Sequence, residues 1–313
     1  MRYVLLGETG LQVSRLALGT AAFGIERYGI QGVDEPPIVE KKEAIRLVRA
    51  TIDAGFNLFD TARSYGESES VLGEALANEC HCVVATKVSI PPDISVRSSA
   101  DQSCAVRKSL ETSLRALRRD TLDIVQIHNA TRDVLEKTEI LGVLQCARQQ
   151  GNLRFVGASV YGEDAALAAV GTGCVDVLQI AVNLLDQRML CKVVPQAEKA
   201  NTGVLARSAF LKGALTERAR LLPPSLVALS GAANRLRDAL GETWGGLPSV
   251  AVRFCLSLPG IHSVLLGLRN ISELQMALEA EASGPLDDAV IHQTSTLNLT
   301  DESLLNPSYW PSL

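Results

Sequence analysis

The 313-residue sequence has few of the side chains that cross-link chains or hold metals. Its 7 cysteines are odd in number, scattered and never spaced as C-x-x-C, which is unlike a disulfide framework or a zinc ribbon. None of its 4 histidines lies four residues from another, the spacing that places two imidazoles on one helix face. We therefore expect reduced cysteines and no metal site.

An excess of positive charge and a long hydrophobic run are also missing. Lys and Arg number 30 against 35 Asp and Glu, and no basic stripe is present to neutralise a phosphate backbone. No apolar run approaches the roughly 20 residues that cross a bilayer. The sequence therefore predicts a cytoplasmic protein without a nucleic-acid partner or a membrane partner.

Common nucleotide-binding and hydrolase motifs are absent as well. No G-x-G-x-x-G follows a predicted strand, which argues against a Rossmann dinucleotide site, and no G-x-x-x-x-G-K-[ST] is present for a nucleoside triphosphate. The segment Gly157–Tyr161 lacks the closing glycine of the G-x-S-x-G elbow of serine hydrolases.

What the sequence does contain is a regular alternation of short apolar runs with segments of helical period, such as Lys41–Ala54 and Cys104–Leu117. Such alternation predicts a parallel sheet with crossover helices. The eight predicted strands are Leu16–Thr20, Asn57–Ala62, Val83–Val88, Leu122–His128, Phe155–Val160, Val177–Val182, Gly203–Phe210 and Ser263–Leu268.

Eight βα units in series either close on themselves or lie open as a doubly wound sheet. The count of eight favours an α/β fold of the closed (β/α)8 TIM barrel type, with residues 1–313 as one domain. Residues 2–13 predict an N-terminal β-hairpin that plugs the bottom of the barrel. A helical run over 224–240 and a C-terminal tail ending in SYWPSL lie outside the repeat.

Polar residues at the ends of three successive predicted strands form the candidate site. Asp60 ends the second strand and Tyr65 follows it by five residues, while Lys87 ends the third strand and His128 the fourth. Each residue taken alone is more often a helix cap, a turn residue or a satisfied core group than a functional residue. Their convergence on one barrel rim, where functional residues of such barrels lie, predicts proton-transfer chemistry.

The residue types indicate how that chemistry would work. A phenol with a reference pKa of about 10 is a weak acid or base until a nearby cation favours the phenolate. We expect Lys87 to be that cation, Asp60 to hold Lys87, and His128 to hydrogen-bond a carbonyl oxygen as it gains negative charge. A hydride would have to come from a cofactor, because no side chain supplies one.

The segments FDTARSYG, ATK and VQIHN, in this order, resemble the catalytic motifs of the aldo-keto reductases. The resemblance extends to LQVSRLALGT, GASVY, DVLQIAVNLLDQR, GVLARSAFLKG and SVLLGLRN, so that it covers residues 3–283. It implies that Asp60, Tyr65, Lys87 and His128 form a catalytic tetrad. It also implies an NAD(P)H-dependent enzyme that interconverts a carbonyl and an alcohol, as a monomer or small homo-oligomer.

The resemblance also implies where a cofactor binds. Ser159 and Gln179 would hydrogen-bond the nicotinamide carboxamide, Arg207 begins the segment that contacts the ring and pyrophosphate, and Arg269 is placed to meet a 2′-phosphate. The predicted cofactor-binding residues are Gly19, Thr20, Asp60, Ser159, Gln179, Arg207, Ser208, Phe210, Gly213, Gly267, Arg269 and Glu273.

The sequence departs from the family pattern at several of these positions. Val160 replaces an asparagine that contacts the carboxamide, and Arg207 stands where an aromatic often stacks on the nicotinamide. Glu273 and Ala277 replace the Arg and Asn of members that prefer NADP, and a carboxylate at 273 would repel a 2′-phosphate. We still expect NADP(H) in preference to NAD(H).

Substrate contacts are expected from Tyr65, His128 and Asn129, with specificity set by the loop Phe23–Pro37 and by the tail through Trp310. Part of that loop resembles aldo-keto reductases found among sugar-modifying enzymes, which indicates a carbonyl compound or a keto-sugar as the substrate. Two alternatives remain open. One is a Schiff-base lyase that uses Lys87, and the other is a nicotinamide-binding regulatory subunit with little turnover.

Overall fold

The computed structural model describes residues 1–32, 34–91 and 93–311. Its strands are β1 (Tyr3–Leu5), β2 (Gln12–Ser14), β3 (Leu16–Gly19), β4 (Leu58–Asp60), β5 (Val83–Val88), β6 (Leu122–Ala130), β7 (Leu153–Val160), β8 (Val177–Ala181), β9 (Gly203–Arg207) and β10 (Ser263–Leu266). Strands β3 to β10 are parallel and pair in chain order, and β10 pairs with β3 to close the barrel. The predicted (β/α)8 barrel is confirmed.

Helices lie between the strands and after the last one. They are α1 (Lys41–Asp53), α2 (Ser68–Ala75), α3 (Ser99–Leu117), α4 (Arg132–Lys137), α5 (Ile140–Gln149), α6 (Glu163–Gly171), α7 (Val193–Lys199), α8 (Val227–Ala239), α9 (Leu247–Ser257), α10 (Ile271–Ala282), α11 (Asp288–Ser295) and α12 (Glu302–Leu305). Helix α1, for example, buries Ala44, Leu47 and Val48 in the core around the barrel. Within the described ranges, no helix is both long enough and apolar enough to span a membrane.

The N-terminal hairpin closes the end of the barrel opposite the candidate site. Strands β1 and β2 pair antiparallel, and Leu6, Leu11 and Val13 are buried together with inward-facing strand residues such as Leu58 and Ile124. These aliphatic side chains fill the lower barrel and exclude water from it. The hairpin predicted over residues 2–13 is therefore confirmed in place and in pairing.

Some predicted boundaries are wrong for local reasons. The seventh barrel strand, predicted to run to Phe210, ends at Arg207 because Ser208 adopts a left-handed backbone with φ +64°. The fourth barrel strand continues past His128 to Ala130, with a register shift that leaves Asn129 at φ +50°. Both irregularities lie at the barrel mouth, where they turn side chains toward the candidate site.

Candidate active site

The carboxyl ends of β4, β5 and β6 bring the four residues of the predicted tetrad to one side of the barrel mouth. Asp60 is the last residue of β4, Lys87 lies in β5 and His128 lies in β6. Tyr65 follows β4 in a turn, where its backbone N–H donates to the carbonyl of Ala62 at 3.0 Å. Asp60 and Lys87 are buried, whereas Tyr65 and His128 are partly exposed toward the mouth.

The Asp60 carboxylate is the centre of a buried polar network. Lys87 Nζ donates to Asp60 Oδ1 at 2.6 Å and to the carbonyl of Thr61 at 2.8 Å. Two amide groups donate to the other oxygen, Oδ2, from Gln179 Nε2 at 2.7 Å and from Gln126 Nε2 at 3.2 Å. Because buried charges are tolerated only when paired and hydrogen-bonded, this network holds the Lys87 ammonium in one position.

Gln126 is a member of this network to which the sequence analysis assigned no role. It precedes His128 by two residues on the same face of β6. Gly157 stands opposite it on β7, and a Cβ there would lie 2.8 Å from Gln126 Cγ. The glycine therefore leaves room for the Gln126 side chain inside the barrel. An i, i+2 spacing from a predicted site histidine was the signal available in the sequence.

The Tyr65 phenol lies beside both the Lys87 cation and the His128 ring. Lys87 Nζ is 5.1 Å from the centre of the Tyr65 ring, and the His128 ring meets that ring edge-on at 5.6 Å. Burial raises the pKa of Tyr65 above its ordinary value, the Asp60 carboxylate raises it further, and Arg207 opposes them. The phenol is thus protonated at neutral pH. Burial and Asp60 thus act in the direction opposite to the effect expected of Lys87 on the Tyr65 pKa.

His128 is held as a neutral imidazole. Burial lowers the pKa of His128 to about 3, and the positive charges of Lys87 and Arg207 act in the same direction. Ser64 Oγ lies 3.1 Å from His128 Nδ1. With the Ser64 hydroxyl as donor, Nδ1 accepts and Nε2 carries the ring proton. The imidazole then presents one N–H that can donate to an oxygen in the mouth.

These residues line a cavity of about 550 Å³ at the barrel mouth. The cavity brings together every predicted site residue except Lys87, whose ammonium faces Asp60 below it. It also includes Tyr161 and Lys212, which the sequence analysis did not assign. Both lie within segments that carried the family resemblance, GASVY and GVLARSAFLKG, but those segments did not predict where the two side chains point.

The two segments expected to set specificity differ in their contribution. The loop after β3 lines the cavity through Tyr28, Gly29 and Ile30, while Val33 in that loop lies outside the described residues. From the tail, Pro307 lines the cavity, but the Trp310 side chain is buried and its Nε1 donates to the carbonyl of Leu304 at 3.2 Å. The Trp310 side chain thus packs against α12, whereas the tail reaches the cavity through Pro307, and its role in specificity stays a prediction. Ser312 and Leu313 lie outside the described residues.

Beside Tyr65, three neighbouring strands present polar groups: the Ser159 hydroxyl from β7, the Gln179 amide from β8 and the Arg207 guanidinium from β9. Ser159 Oγ donates to Gln179 Oε1 at 3.1 Å. Arg207 Nη2 donates to the carbonyl of Val160 at 2.9 Å, and its guanidinium lies 3.9 Å from the centre of the Tyr161 ring. The set combines hydrogen-bonding groups suited to a carboxamide with a flat cation fixed by stacking.

The far end of the cavity is built by the start of α10. Arg269 Nη2 donates to the carbonyl of Pro36 at 2.8 Å, whereas the buried Nη1 has no hydrogen-bond partner among the described residues. Glu273 accepts from the backbone N–H of Arg269 at 2.7 Å, and its own N–H donates to Asn270 Oδ1 at 2.9 Å. Burial raises the pKa of Glu273. The carboxylate is therefore occupied in stabilising the helix start.

This arrangement fits a nicotinamide dinucleotide. Gly267 lines the cavity and a Cβ there would meet no atom within 4 Å, so the glycine keeps that stretch open for a ligand. The unpartnered Arg269 nitrogen provides a donor for an anion at one end. Ser159 and Gln179 provide a hydroxyl and an amide beside Tyr65 at the other end, groups that suit a carboxamide.

Comparison with known proteins agrees with this geometry. The chain is 29% identical to the L-galactose dehydrogenase of Arabidopsis thaliana over 287 residues, covering 86% of this chain and 85% of that protein. It is 34% identical to a 6-dehydroglucose reductase of Novosphingobium aromaticivorans over 172 residues, about half of either chain.

Among solved structures, the holo form of the aldo-keto reductase AKR11C1 from Bacillus halodurans shares the fold, with a TM-score of 0.77 at 21% identity over 95% of this chain and 96% of that one. The model of the aldo/keto reductase family matches residues 15–298. The chain therefore belongs to the aldo/keto reductase family, whose members are oxidoreductases.

Proposed function

We propose that this protein is an NADP(H)-dependent oxidoreductase that interconverts a carbonyl compound and an alcohol, with Tyr65 as the proton carrier. The observation that carries the proposal is the convergence of Tyr65, His128 and the Asp60–Lys87 pair at the floor of one cavity. The residues predicted to bind a cofactor line the same cavity, from Ser159 in β7 to Glu273 in α10. When bound, the dihydronicotinamide supplies the hydride that no side chain can supply.

Each residue has a distinct task in this proposal. Tyr65 is protonated at neutral pH and gives its phenolic proton to the substrate oxygen as that oxygen gains negative charge. Neutral His128 donates a hydrogen bond to the same oxygen. Asp60 keeps Lys87 charged below the phenol. Lys87 is unsuited to Schiff-base chemistry, because its Nζ is engaged twice and lies below the cavity lining.

The cofactor preference follows from the charges at the far end. Arg269 offers an unpartnered nitrogen, and Arg218 lines the same end of the cavity. Glu273, expected from the sequence to repel a 2′-phosphate, accepts a hydrogen bond from the backbone N–H of Arg269 at 2.7 Å, which partly offsets its negative charge. These features support NADP(H) over NAD(H).

The substrate is proposed to be a sugar or keto-sugar. The substrate side of the mouth carries Tyr28, Asn129 and Tyr161, which offer hydroxyl and amide groups for hydrogen bonds to sugar hydroxyls. The names of two relatives, L-galactose dehydrogenase and 6-dehydroglucose reductase, describe enzymes of this substrate class.

The proposal is tested by a binding titration followed by a substitution. Trp244 lines the cavity, so its fluorescence reports on ligands added there. Titration of the protein with NADPH and with NADH is expected to show binding of both, tighter for NADPH. Tyr65→Phe is then expected to lower kcat by roughly 10²- to 10⁴-fold on a panel of aldoses and keto-sugars, with little change in the cofactor Kd.

The outcomes separate the readings that the sequence left open. Retained turnover in Tyr65→Phe would remove Tyr65 from the proton-transfer role. Cofactor binding without turnover on any member of the panel would favour a regulatory subunit instead of an enzyme. Failure of both cofactors to bind would overturn the oxidoreductase proposal itself.

A further inference from the structure

The Arg207 side chain is a rigid cation at the centre of the cavity wall. It is the last residue of β9 and lines the cavity together with Tyr65 and His128. Its Nη2 donates to the carbonyl of Val160 at 2.9 Å, and its Nη1 donates to Ser208 Oγ at 3.2 Å. Its planar group lies against the Tyr161 ring at 3.9 Å. These contacts leave the guanidinium one orientation.

The charge of Arg207 is not neutralised by its surroundings. Its partners are a carbonyl, a hydroxyl and an aromatic ring, and among the described residues no carboxylate forms an ion pair with it. The cavity carboxylates are engaged elsewhere: Asp60 with Lys87 at 2.6 Å, and Glu273 with the Arg269 backbone. Glu217, the remaining acidic group in the lining, lies on the turn after β9, among the arginines 218 and 220.

The electrostatic effect of Arg207 reaches Tyr65 and His128, the residues proposed to hold the substrate carbonyl. Arg207 contributes to the lowered pKa of His128 and acts to lower that of Tyr65. A nicotinamide that exchanges hydride with a carbonyl held by Tyr65 and His128 must bring its ring to within about 3 to 3.5 Å of that carbonyl. The nicotinamide ring therefore lies in the electrostatic field of Arg207, whatever path the phosphates and the adenosine take through the cavity.

We propose that Arg207 makes this cavity bind the reduced nicotinamide cofactor more tightly than the oxidised one. The inference rests on the proposed function. The oxidised ring carries a positive charge, and addition of a hydride, which is one proton with two electrons, converts it to the neutral reduced ring. Only the oxidised form is repelled by the guanidinium. Over about 5 to 10 Å in a protein site, such repulsion changes a binding ratio by roughly tenfold or more.

The consequence concerns the direction of reaction on the protein. Preferential binding of the reduced form raises the reduction potential of the bound couple, by about 30 mV for each tenfold in the ratio. The bound oxidised cofactor is then a stronger hydride acceptor than it is in solution. Arg207 thus shifts the equilibrium between bound species toward alcohol oxidation, while the overall equilibrium in solution stays unchanged.

The test compares the dissociation constants of NADP⁺ and NADPH by titration of Trp244 fluorescence at constant ionic strength. The phosphates and the adenosine are common to both forms, so their contributions cancel in the ratio Kd(NADP⁺)/Kd(NADPH). We expect a ratio well above one for the unaltered protein. Arg207→Gln, which keeps a donor for Val160 but removes the charge, is expected to lower the ratio by roughly tenfold or more. Arg207→Lys, which keeps the charge, is the matched control and is expected to stay near the original ratio.

Several results would overturn the inference. A Kd(NADP⁺)/Kd(NADPH) ratio near one in the unaltered protein would overturn it without any variant. This outcome does not depend on whether Arg207→Gln folds. An unchanged ratio in a folded Arg207→Gln protein would do so as well, and equal changes in the Gln and Lys variants would assign the effect to shape instead of charge. Absence of binding of either form would overturn the proposed function and this inference together, whereas binding with an unaltered ratio overturns the inference alone.

Discussion

At the scale of single residues, the organisation of the site depends on how Asp60 is satisfied. Its carboxylate receives one ammonium and two amide donors, and all of these groups are buried. Removing a partner of a buried charge costs more than the net strength of the bond, because the charge is left with too few donors. Gln126 and Gln179 are therefore positioning residues for the Asp60–Lys87 pair in the proposed mechanism.

Gln126→Leu tests this role. The substitution removes one donor to Asp60, and the Gln126 Oε1 that it also removes is without a hydrogen-bond partner among the described residues. The less shielded carboxylate raises the pKa of Tyr65 further, since Asp60 already acts in that direction. A phenol with a higher pKa is a weaker proton donor, so we expect a lower kcat for carbonyl reduction with an unchanged NADPH Kd, measured by steady-state kinetics and by the NADPH titration.

The control is Gln102→Leu, which removes another buried amide, far from the site on α3. Gln102 Nε2 donates to the carbonyls of Ile94 and Arg97, and its Oε1 accepts from the backbone N–H of Glu139. Both variants are expected to lose about 1 to 2 kcal/mol of unfolding free energy, measured by urea denaturation. Only Gln126→Leu is expected to lower kcat. Equal kcat values for the two variants would mean that Gln126 contributes to stability alone.

At the scale of elements, the loop after β3 fixes the loop that carries Tyr65. A Cβ added at Gly24 would overlap the carbonyl oxygen of Tyr65, so the two loops are in backbone contact. Thr20 and Ser68 join the same loops through their hydroxyl oxygens, 2.6 Å apart. The position of Tyr65 is thus set by a neighbouring βα unit, more than forty residues away in the chain.

Gly24→Ala is expected to displace the Tyr65 loop and to lower kcat by roughly 10²-fold, the loss typical of a misplacement of about 1 Å. The cofactor Kd is expected to change little, because the groups of β7, β8 and α10 are untouched. Steady-state kinetics and the NADPH titration measure the two effects. Gly171→Ala, at the end of α6 where a Cβ meets no atom within 4 Å, is the control. Wild-type kcat in Gly24→Ala would show that the loops separate without consequence.

At the scale of the whole molecule, the hairpin plug is attached to the last barrel helix by an ion pair. Arg2 Nε donates to Glu281 Oε1 at 2.9 Å, and the backbone N–H of Arg2 donates to the same oxygen at 3.2 Å. Glu281 is 8% exposed and lies on α10, which follows β10. The first and last segments of the barrel are thereby joined below the closed end.

Glu281→Gln is expected to lower the unfolding free energy by about 1 kcal/mol near neutral pH, since the Arg2 side chain is partly in solvent. Burial acts to raise the pKa of Glu281, but the hydrogen bonds from Arg2 outweigh it and hold that pKa below its ordinary value. A carboxyl with a lowered folded pKa stabilises the fold above its unfolded pKa. That stabilisation is lost as the pH falls through the folded pKa.

The difference between Glu281→Gln and the unaltered protein should therefore shrink in acid, measured by urea denaturation across the acidic range. Glu279→Gln, at an exposed position of the same helix, is the control and is expected to show little difference at any pH. A difference that persists unchanged in acid would mean that the carboxylate charge does not contribute.

The sequence by itself determined the architecture and the main residues of the candidate site. Eight apolar runs alternating with helical segments left a closed barrel as the favoured fold, and all parallel strands of a barrel end at one rim. Asp60, Lys87 and His128 had to meet there because each lies at or near the carboxyl end of a strand. A single domain over residues 1–313 stays a prediction.

Only the tertiary structure decided how these residues are supported and charged. Gln126 donates to Asp60 across the barrel, and Gly24 is in backbone contact with the loop that carries Tyr65. The hydrophobic periodicity of the sequence predicts neither contact. The carboxylate of Glu273 accepts from a backbone N–H. The Arg207 cation lies against Tyr161, with no counter-ion in the part of the chain that the structure describes. The physical reason is that strand order depends on local patterns, whereas hydrogen bonds and electrostatic fields depend on distances between residues far apart in the chain.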